Sequence, residues 1–279
     1  MKQTINCSGK LINFSEPKVM GIINVTPDSF FDGGKFEQID EANKRAQNLI
    51  EEGADIIDLG AASTRPGANQ PSEKEELNRL IPVVSSIRKN QPEAIISIDT
   101  YRASVAKAAV EVGADIINDI SGGTLDKKMH ETIVRLKVPY VLMHMQGRPA
   151  SMQQNPRYKN VTNEVIEFFI ESLAKLEELG VHDVIIDPGF GFGKTNEHNY
   201  QLLNNLADFR VLNCPILVGI SRKSMINKVL NVKPENALNG TTALNMAALL
   251  KGAAILRVHD AKEASETVKL FQMLRQKPF

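Results

Sequence analysis

GADIINDISGG, residues 113–123, holds the pattern that decides the fold. A glycine just past a helix C-terminus tolerates the left-handed conformation that stops it. A short Ala-Asp step follows, then an Ile-Ile strand that closes on Asn118. The same opening recurs at Gly53 (GADIID), Gly180 (GVHDVIID) and Gly252 (GAAILRV), at intervals of 60, 67 and 72 residues. Each interval is long enough for two βα units, so these glycines introduce strands two, four, six and eight of an eightfold repeat. Four other apolar runs lie between them: GIIN closing on Asn24, IISID on Asp99, YVLMH on His144, and ILVGIS leading into Arg222 and Lys223. Runs of almost unbroken Val, Ile and Leu suit parallel strands buried on both faces, and polar residues at their C-terminal ends place the chemistry at one mouth. The expected fold is α/β, a single (β/α)8 TIM barrel occupying residues 1–279 as one domain.

The segments between the runs agree with this. Leu77, Leu80, Ile81, Val84 and Ile87 recur at helical spacing after Ser72, which forms a capping box with Glu75. Val165, Phe169, Leu173, Leu176 and Leu179 mark another helix face, ended by Gly180. Asp260 with Glu263 is expected to cap a last helix that buries Ala264, Val268, Phe271 and Leu274. A stretch from about Asn236 to Leu250 predicts an additional helix before strand eight. Ile5–Cys7 and Lys10–Phe14 across Ser8-Gly9 predict an N-terminal hairpin that plugs the barrel bottom.

Composition narrows the function. Thirty-three basic residues balance 33 acidic ones and form no basic stripe, which argues against nucleic acid as a partner. No apolar stretch approaches the roughly 18 residues of a membrane helix, and MKQTINCSGK is not a signal pattern, so a soluble cytoplasmic protein is expected. Cys7 and Cys214 lack metal-ligand spacing and are expected as reduced structural thiols.

Three loops are longer than the usual βα connection: NVTPDSFFDGG (24–34), AASTRPGA (61–68) and DPGFGFGK (187–194). Phe30, Phe31, Phe190 and Phe192 stand beside glycines there, and closure over a flat ligand competes evenly with packing on the rim. Gly193-Lys194-Thr195 imitates a phosphate loop, but Pro188 occupies the position of its first glycine. Asp99, Asn118 and Asp187, at the ends of strands three, four and six, offer directed acceptors for a ring edge carrying several N–H groups. Lys223, Arg257 and His259 fall after strand seven and on strand eight, where such barrels often bind an anion. His130, His182 and His198 read as incidental. His144 ends strand five with no role assigned.

Taken in order, MGIINVTPDSF (20–30), STRPGA (63–68), SIDT (97–100), IINDISGG (116–123), LMHMQG (142–147), DPGFGFGK (187–194), GISRKS (219–224) and LRVHD (256–260) resemble the dihydropteroate synthase family of pterin-binding barrels over nearly the whole chain. The resemblance implies condensation of 4-aminobenzoate with a hydroxymethyl-dihydropterin diphosphate. It implies a pterin site of Asp99, Asn118, Asp187 and Lys223, with Asp99, Asp187 and Lys223 as the catalytic set. Asn24, Thr64, Arg257 and His259 are implied for the diphosphate, and Asn24 as the ligand of Mg2+. Phe30, Thr64, Arg65, Pro66, Phe192, Lys223 and Ser224 are implied for 4-aminobenzoate. A homodimer is implied as well. Phe31 and Ala62 depart from the family pattern, in which a small residue and an acidic residue are usual.

Three other readings compete. A pterin-dependent methyl-transfer domain would keep Asp99, Asn118 and Asp187 without needing the TPDSF, STRPG and SRKS loops. A Schiff-base aldolase would use Lys223. A silent ligand-binding barrel would bind pterin without turnover.

Overall fold

Residues 4–7, 9–25, 35–61, 70–149 and 151–275 are described by the structure, a computed structural model; for 35–37 only the backbone is described. The chain opens with the antiparallel hairpin β1 (Thr4–Cys7) and β2 (Lys10–Asn13), in which Ile5 faces Ile12. The repeat then runs β3 (Lys18–Asn24), α1 (Lys35–Glu51), β4 (Ile56–Gly60), α2 (Glu73–Asn90), β5 (Ile95–Asp99), α3 (Ala103–Glu111) and β6 (Ile116–Asp119). It continues with α4 (Met129–Leu136), β7 (Tyr140–Met143), α5 (Val161–Glu178), β8 (Val184–Asp187), α6 (Asn196–Asn204) and β9 (Leu217–Val218). Helices α7 (Ser224–Leu230) and α8 (Leu238–Leu250), strand β10 (Ile255–Val258) and helix α9 (Ala261–Arg275) complete it.

Strands β3 to β10 form one parallel sheet in the order β8-β7-β6-β5-β4-β3-β10-β9, closed by a bridge between Ile186 and Ile216. The eight strands with their helices make the expected (β/α)8 barrel, and α8 is the additional helix before its last strand. The four helix-ending glycines carry φ of 96°, 109°, 80° and 103° at Gly53, Gly113, Gly180 and Gly252. A Cβ is disfavoured in that conformation, which explains why the sequence marks these ends so clearly.

Successive strand residues alternate between two cores. Ile57, Leu59, Ile96, Ile98, Ile117, Leu142 and Ile186 face outward onto the helices. Met20, Ile56, Ile116, Val141, Ile185, Leu217 and Ile255 face inward, where Ile5, Cys7 and Ile12 of the hairpin pack beneath them. The hairpin is therefore the expected plug, and its burial raises the Cys7 thiol to about 12. Burying Ile5 and Ile12 contributes about 1.5–3 kcal/mol each. Two residues beyond Ile56, Ile116, Ile185 and Ile255, on the same inner face, stand Asp58, Asn118, Asp187 and Arg257. An apolar floor thus carries a polar layer toward the C-terminal mouth.

Most helix expectations hold, with local differences. The capping box forms: Ser72 N–H donates to Glu75 Oε2 at 2.7 Å and Glu75 N–H to Ser72 Oγ at 3.3 Å. On α5 and α9 the buried face ends at Leu176 and Phe271, leaving Leu179 and Leu274 exposed. Asp260 precedes α9, but both of its carboxylate oxygens accept from Arg222, at 3.0 and 2.5 Å. Strand β9 is only two residues long, shorter than the ILVGIS run.

Candidate active site

Asp58 and Asp99 meet Arg257 across the barrel. Arg257 Nε donates to Asp58 Oδ2 at 2.7 Å, and its Nη2 donates to Asp99 Oδ2 at 2.8 Å. Asn118 Nδ2 also donates to Asp58 Oδ2, at 3.2 Å. Asp58 is fully buried, and Gly60 leaves the space beside Asp99, whose Cβ would be 3.3 Å from any Cβ added there. Burial pushes the Asp99 carboxyl up; Arg257 opposes that shift and Asp58 adds to it. For Arg257 burial works against the charge, but Asp58 and Asp99 more than offset it and hold the guanidinium protonated. A carboxylate pair that shares one guanidinium is a rigid, directed set of acceptors.

On the other side, Asp187 ends β8 and accepts at Oδ1 from Gly189 N–H at 2.8 Å. Burial raises its pKa, opposed first by Lys223 and then by the Gly189 hydrogen bond and Arg257. Lys223 precedes α7, donates to the Phe190 carbonyl at 2.5 Å and places Nζ 4.7 Å from the centre of the Phe192 ring. Burial lowers it to about 8 against the pull of Asp187. At Gly219 an added Cβ would lie 3.7 Å from Arg257 Cβ and 4.0 Å from Lys223 Nζ. Asp99, Asn118, Asp187, Lys223 and Arg257 therefore converge at one mouth.

His259 follows β10 at the same end, its Nδ1 3.0 Å from Ser221 Oγ and its carbonyl accepting from Arg45 at 2.6 Å. Asn24 is the exposed last residue of β3, the strand paired with β10. Ser224 is exposed at the start of α7. Phe190 is a core residue, packed among the outer-layer side chains, so its ring is not at the mouth. Phe192 instead packs with Ile120, Met143 and Met152 at the rim. Phe30, Phe31, Ala62, Thr64, Arg65 and Pro66 lie outside the described residues. Arg222, in the left-handed region at φ 56°, turns away to Asp260 and leaves Lys223 facing the site.

Asp58, the polar residue of the GADIID run, stands on the inner face where the Ile56-x-Asp58 alternation puts it. One participant escaped the sequence reading. Ser221, which holds His259, resembles an ordinary loop serine. Lys194 does not cradle phosphate: it is 2% exposed, with its ammonium turned inward. His130, read as incidental, braces the loop after β6 through Nε2, 3.2 Å from the Gly122 carbonyl.

Comparison with known proteins bears on this geometry directly. A family described as "Pterin binding enzyme" matches residues 20–259. The dihydropteroate synthase of Escherichia coli (strain K12) is 47% identical over 266 residues, covering 95% of this chain and 94% of that protein. This chain belongs to the dihydropteroate synthase family. Solved dihydropteroate synthase structures from Xanthomonas albilineans agree with the fold. One with 4-aminobenzoic acid has a TM-score of 0.92 at 37% identity and covers 100% of both chains. Another, in complex with 7,8-dihydropteroate, has a TM-score of 0.88 at 35% identity, covering 99% of this chain and 100% of that one. These relatives do not favour the methyl-transfer alternative.

Proposed function

We propose that this chain condenses 4-aminobenzoate with (7,8-dihydropterin-6-yl)methyl diphosphate, giving 7,8-dihydropteroate and diphosphate in folate synthesis. The observation that carries the reading is the convergence of Asp99, Asn118 and Asp187 with Lys223 and Arg257 over an apolar barrel floor. The family's solved structures with 4-aminobenzoic acid and with 7,8-dihydropteroate support it.

In this reading the acids and Asn118 accept and donate along the pterin edge, while Lys223 approaches the ring from β9. The methylene carbon is attacked by the amine nitrogen of 4-aminobenzoate as its C–O bond to diphosphate breaks. The nitrogen then releases one proton. No strong base is required, because the aromatic amine is already a neutral nucleophile and positioning supplies much of the rate. Negative charge grows on the departing diphosphate, where His259 and Arg257 stabilise it. Arg257 commits Nε and Nη2 to Asp58 and Asp99, so the anion would meet it through Nη1. Thr64, Arg65, Pro66 and Phe30, with Phe192 and Ser224, complete the 4-aminobenzoate side of the proposal.

Mg2+ fits Asn24, whose amide oxygen is a hard donor at an exposed strand end. Mg2+ is commonly bound by one or two protein oxygens together with substrate phosphates and waters. Among the described residues no group of three or more His, Cys, Asp or Glu could hold a metal. When bound, the ion would neutralise leaving-group charge. A homodimer is also proposed, supported by the exposed Val229 and Leu230 of α7 and Leu250 of α8. A cytoplasmic location suits Cys7 and Cys214, which form no disulfide among the described residues.

A coupled assay for diphosphate tests the proposal. Release is expected only with both substrates present, should rise with Mg2+ and should fall with a sulfonamide. Tight pterin binding without diphosphate release would instead favour a silent binding barrel.

A further inference from the structure

Lys194 terminates the turn that carries the pterin-side ligands, and its side chain folds back into that turn. Its Nζ lies 2.9 Å from His144 Nδ1, 3.0 Å from the Gly189 carbonyl, 3.1 Å from the Phe192 carbonyl and 3.4 Å from the His144 carbonyl. None of these hydrogen-bond partners is a carboxylate: the amine is held by backbone dipoles and one imidazole, and burial lowers it to about 7 against the pull of Asp187. Retaining such a group inside a protein is costly unless every donor is satisfied.

The turn cannot stand off from its neighbour. Gly189, Gly191 and Gly193 have φ of 72°, 82° and 64°. A Cβ at Gly189 would fall 1.9 Å from the His144 carbonyl oxygen, and one at Gly193 2.3 Å from that of Gln146. His144 N–H donates to the Asp187 carbonyl at 3.0 Å, and its ring lies edge-on to Phe168 with centroids 5.0 Å apart. This turn supplies the Gly189 N–H that orients Asp187, the Phe190 carbonyl that receives Lys223 and the Phe192 ring beneath that lysine.

We propose that Lys194, seated on His144, is a positioning residue for the pterin half of the site: its Nζ pins the Gly189–Phe192 turn to the end of β7 and thereby fixes Asp187 and Lys223. The electrostatics support the geometry. Burial, and then Lys194, lower His144 to about 2, which keeps the imidazole neutral and Nδ1 available as an acceptor. The inference rests on the pterin reading of the site proposed above.

Calorimetric titration with 6-hydroxymethylpterin and, separately, with inorganic diphosphate tests it. Lys194→Met should weaken pterin binding about tenfold or more, since small misplacements of ligand-contacting groups are amplified. Diphosphate affinity, which depends on Arg257 and His259, should stay within about twofold. Should Lys194→Met not fold, His144→Leu, which keeps apolar volume but offers no acceptor, should show the same split. His144→Gln, which restores an acceptor, should recover most of the lost pterin affinity. Unchanged pterin affinity, equal loss of both ligands, or no rescue by glutamine would overturn the role. A wild-type protein that binds no pterin would instead refute the reading of the site on which this role depends.

Discussion

On the β4–β6 side of the mouth, charges meet charges directly: Asp58 and Asp99 close on Arg257 from strands that are themselves fixed by the sheet. On the β7–β9 side, Lys194 and Lys223 are held by the carbonyls of a glycine-rich turn, and Asp187 by a turn N–H. The first arrangement is as rigid as the barrel and fails by stranding a buried charge. The second is set by close backbone packing and fails by moving a ligand-binding group. In the proposed reaction both sides face the flat pterin, and Arg257 on the first side also meets the departing diphosphate.

The contrast is broken most severely at Arg257. Arg257→Met would leave Asp58 and Asp99 buried without their cation, and removing one partner of such a pair typically costs about 3–5 kcal/mol. Urea denaturation should show a loss of that order at pH 8. A smaller loss is expected at pH 5, where an unpaired Asp99, already raised by burial, takes up a proton. A loss below about 1 kcal/mol at pH 8 would mean that the cluster is not a closed ion network.

Asp187→Asn probes the other side. It keeps an acceptor but removes the charge that can favour cationic character in the pterin as the bond breaks. Turnover should fall on the order of a hundredfold, comparable to losing one preorganised electrostatic group, while pterin affinity changes less. Equal or reversed effects in steady-state and binding assays would reject that role.

The two sides also differ in how far the sequence disclosed them. Strand ends, helix-stopping glycines and the plugging hairpin are local signals, legible because φ > 0 at Gly113 or Gly252 and an apolar run at 184–187 need only neighbouring residues to be understood. Asn118 and Asp187 were visible for the same reason. Asp58 was visible as the polar tail of its own run, but its pairing was not, because Arg257 lies 199 residues away and only barrel closure brings the two together. Lys194 gave only a negative signal: Pro188 ruled out the phosphate loop that GKT imitates, and nothing local foretold the inward turn of its side chain to the His144 and Gly189 carbonyls. Phe190 and Phe192, two residues apart, took different fates, one in the core and one at the rim, with Gly191 between them in the left-handed region at φ 82°.

His144 gives the β7–β9 side a proton linkage of its own. Its native pKa is lowered from 6.5 to about 2, so below pH 6.5 the unfolded chain binds a proton that the native state refuses. The corresponding stability is present above pH 6.5 and is lost as pH falls. One such group contributes a slope of about 1.4 kcal/mol per pH unit. His144→Gln should flatten the stability profile between about pH 6 and pH 4 by that amount, and parallel profiles for the two proteins would contradict it. The smallest effect is expected away from both sides: Ser72→Ala removes the α2 capping box and should cost about 1 kcal/mol with pterin affinity unchanged. A change in pterin binding there would show that the two-sided description omits a third support.

The most direct test of the account is the affinity of 6-hydroxymethylpterin for Asn118→Leu, which keeps the barrel packed but removes the amide from the inner polar layer. Calorimetry should find one pterin per wild-type chain and binding weakened at least about tenfold in the variant, as expected when a polar ligand edge loses its partner. Equal affinity for the two proteins would contradict the claim that this layer, two residues above the barrel floor, recognises the substrate.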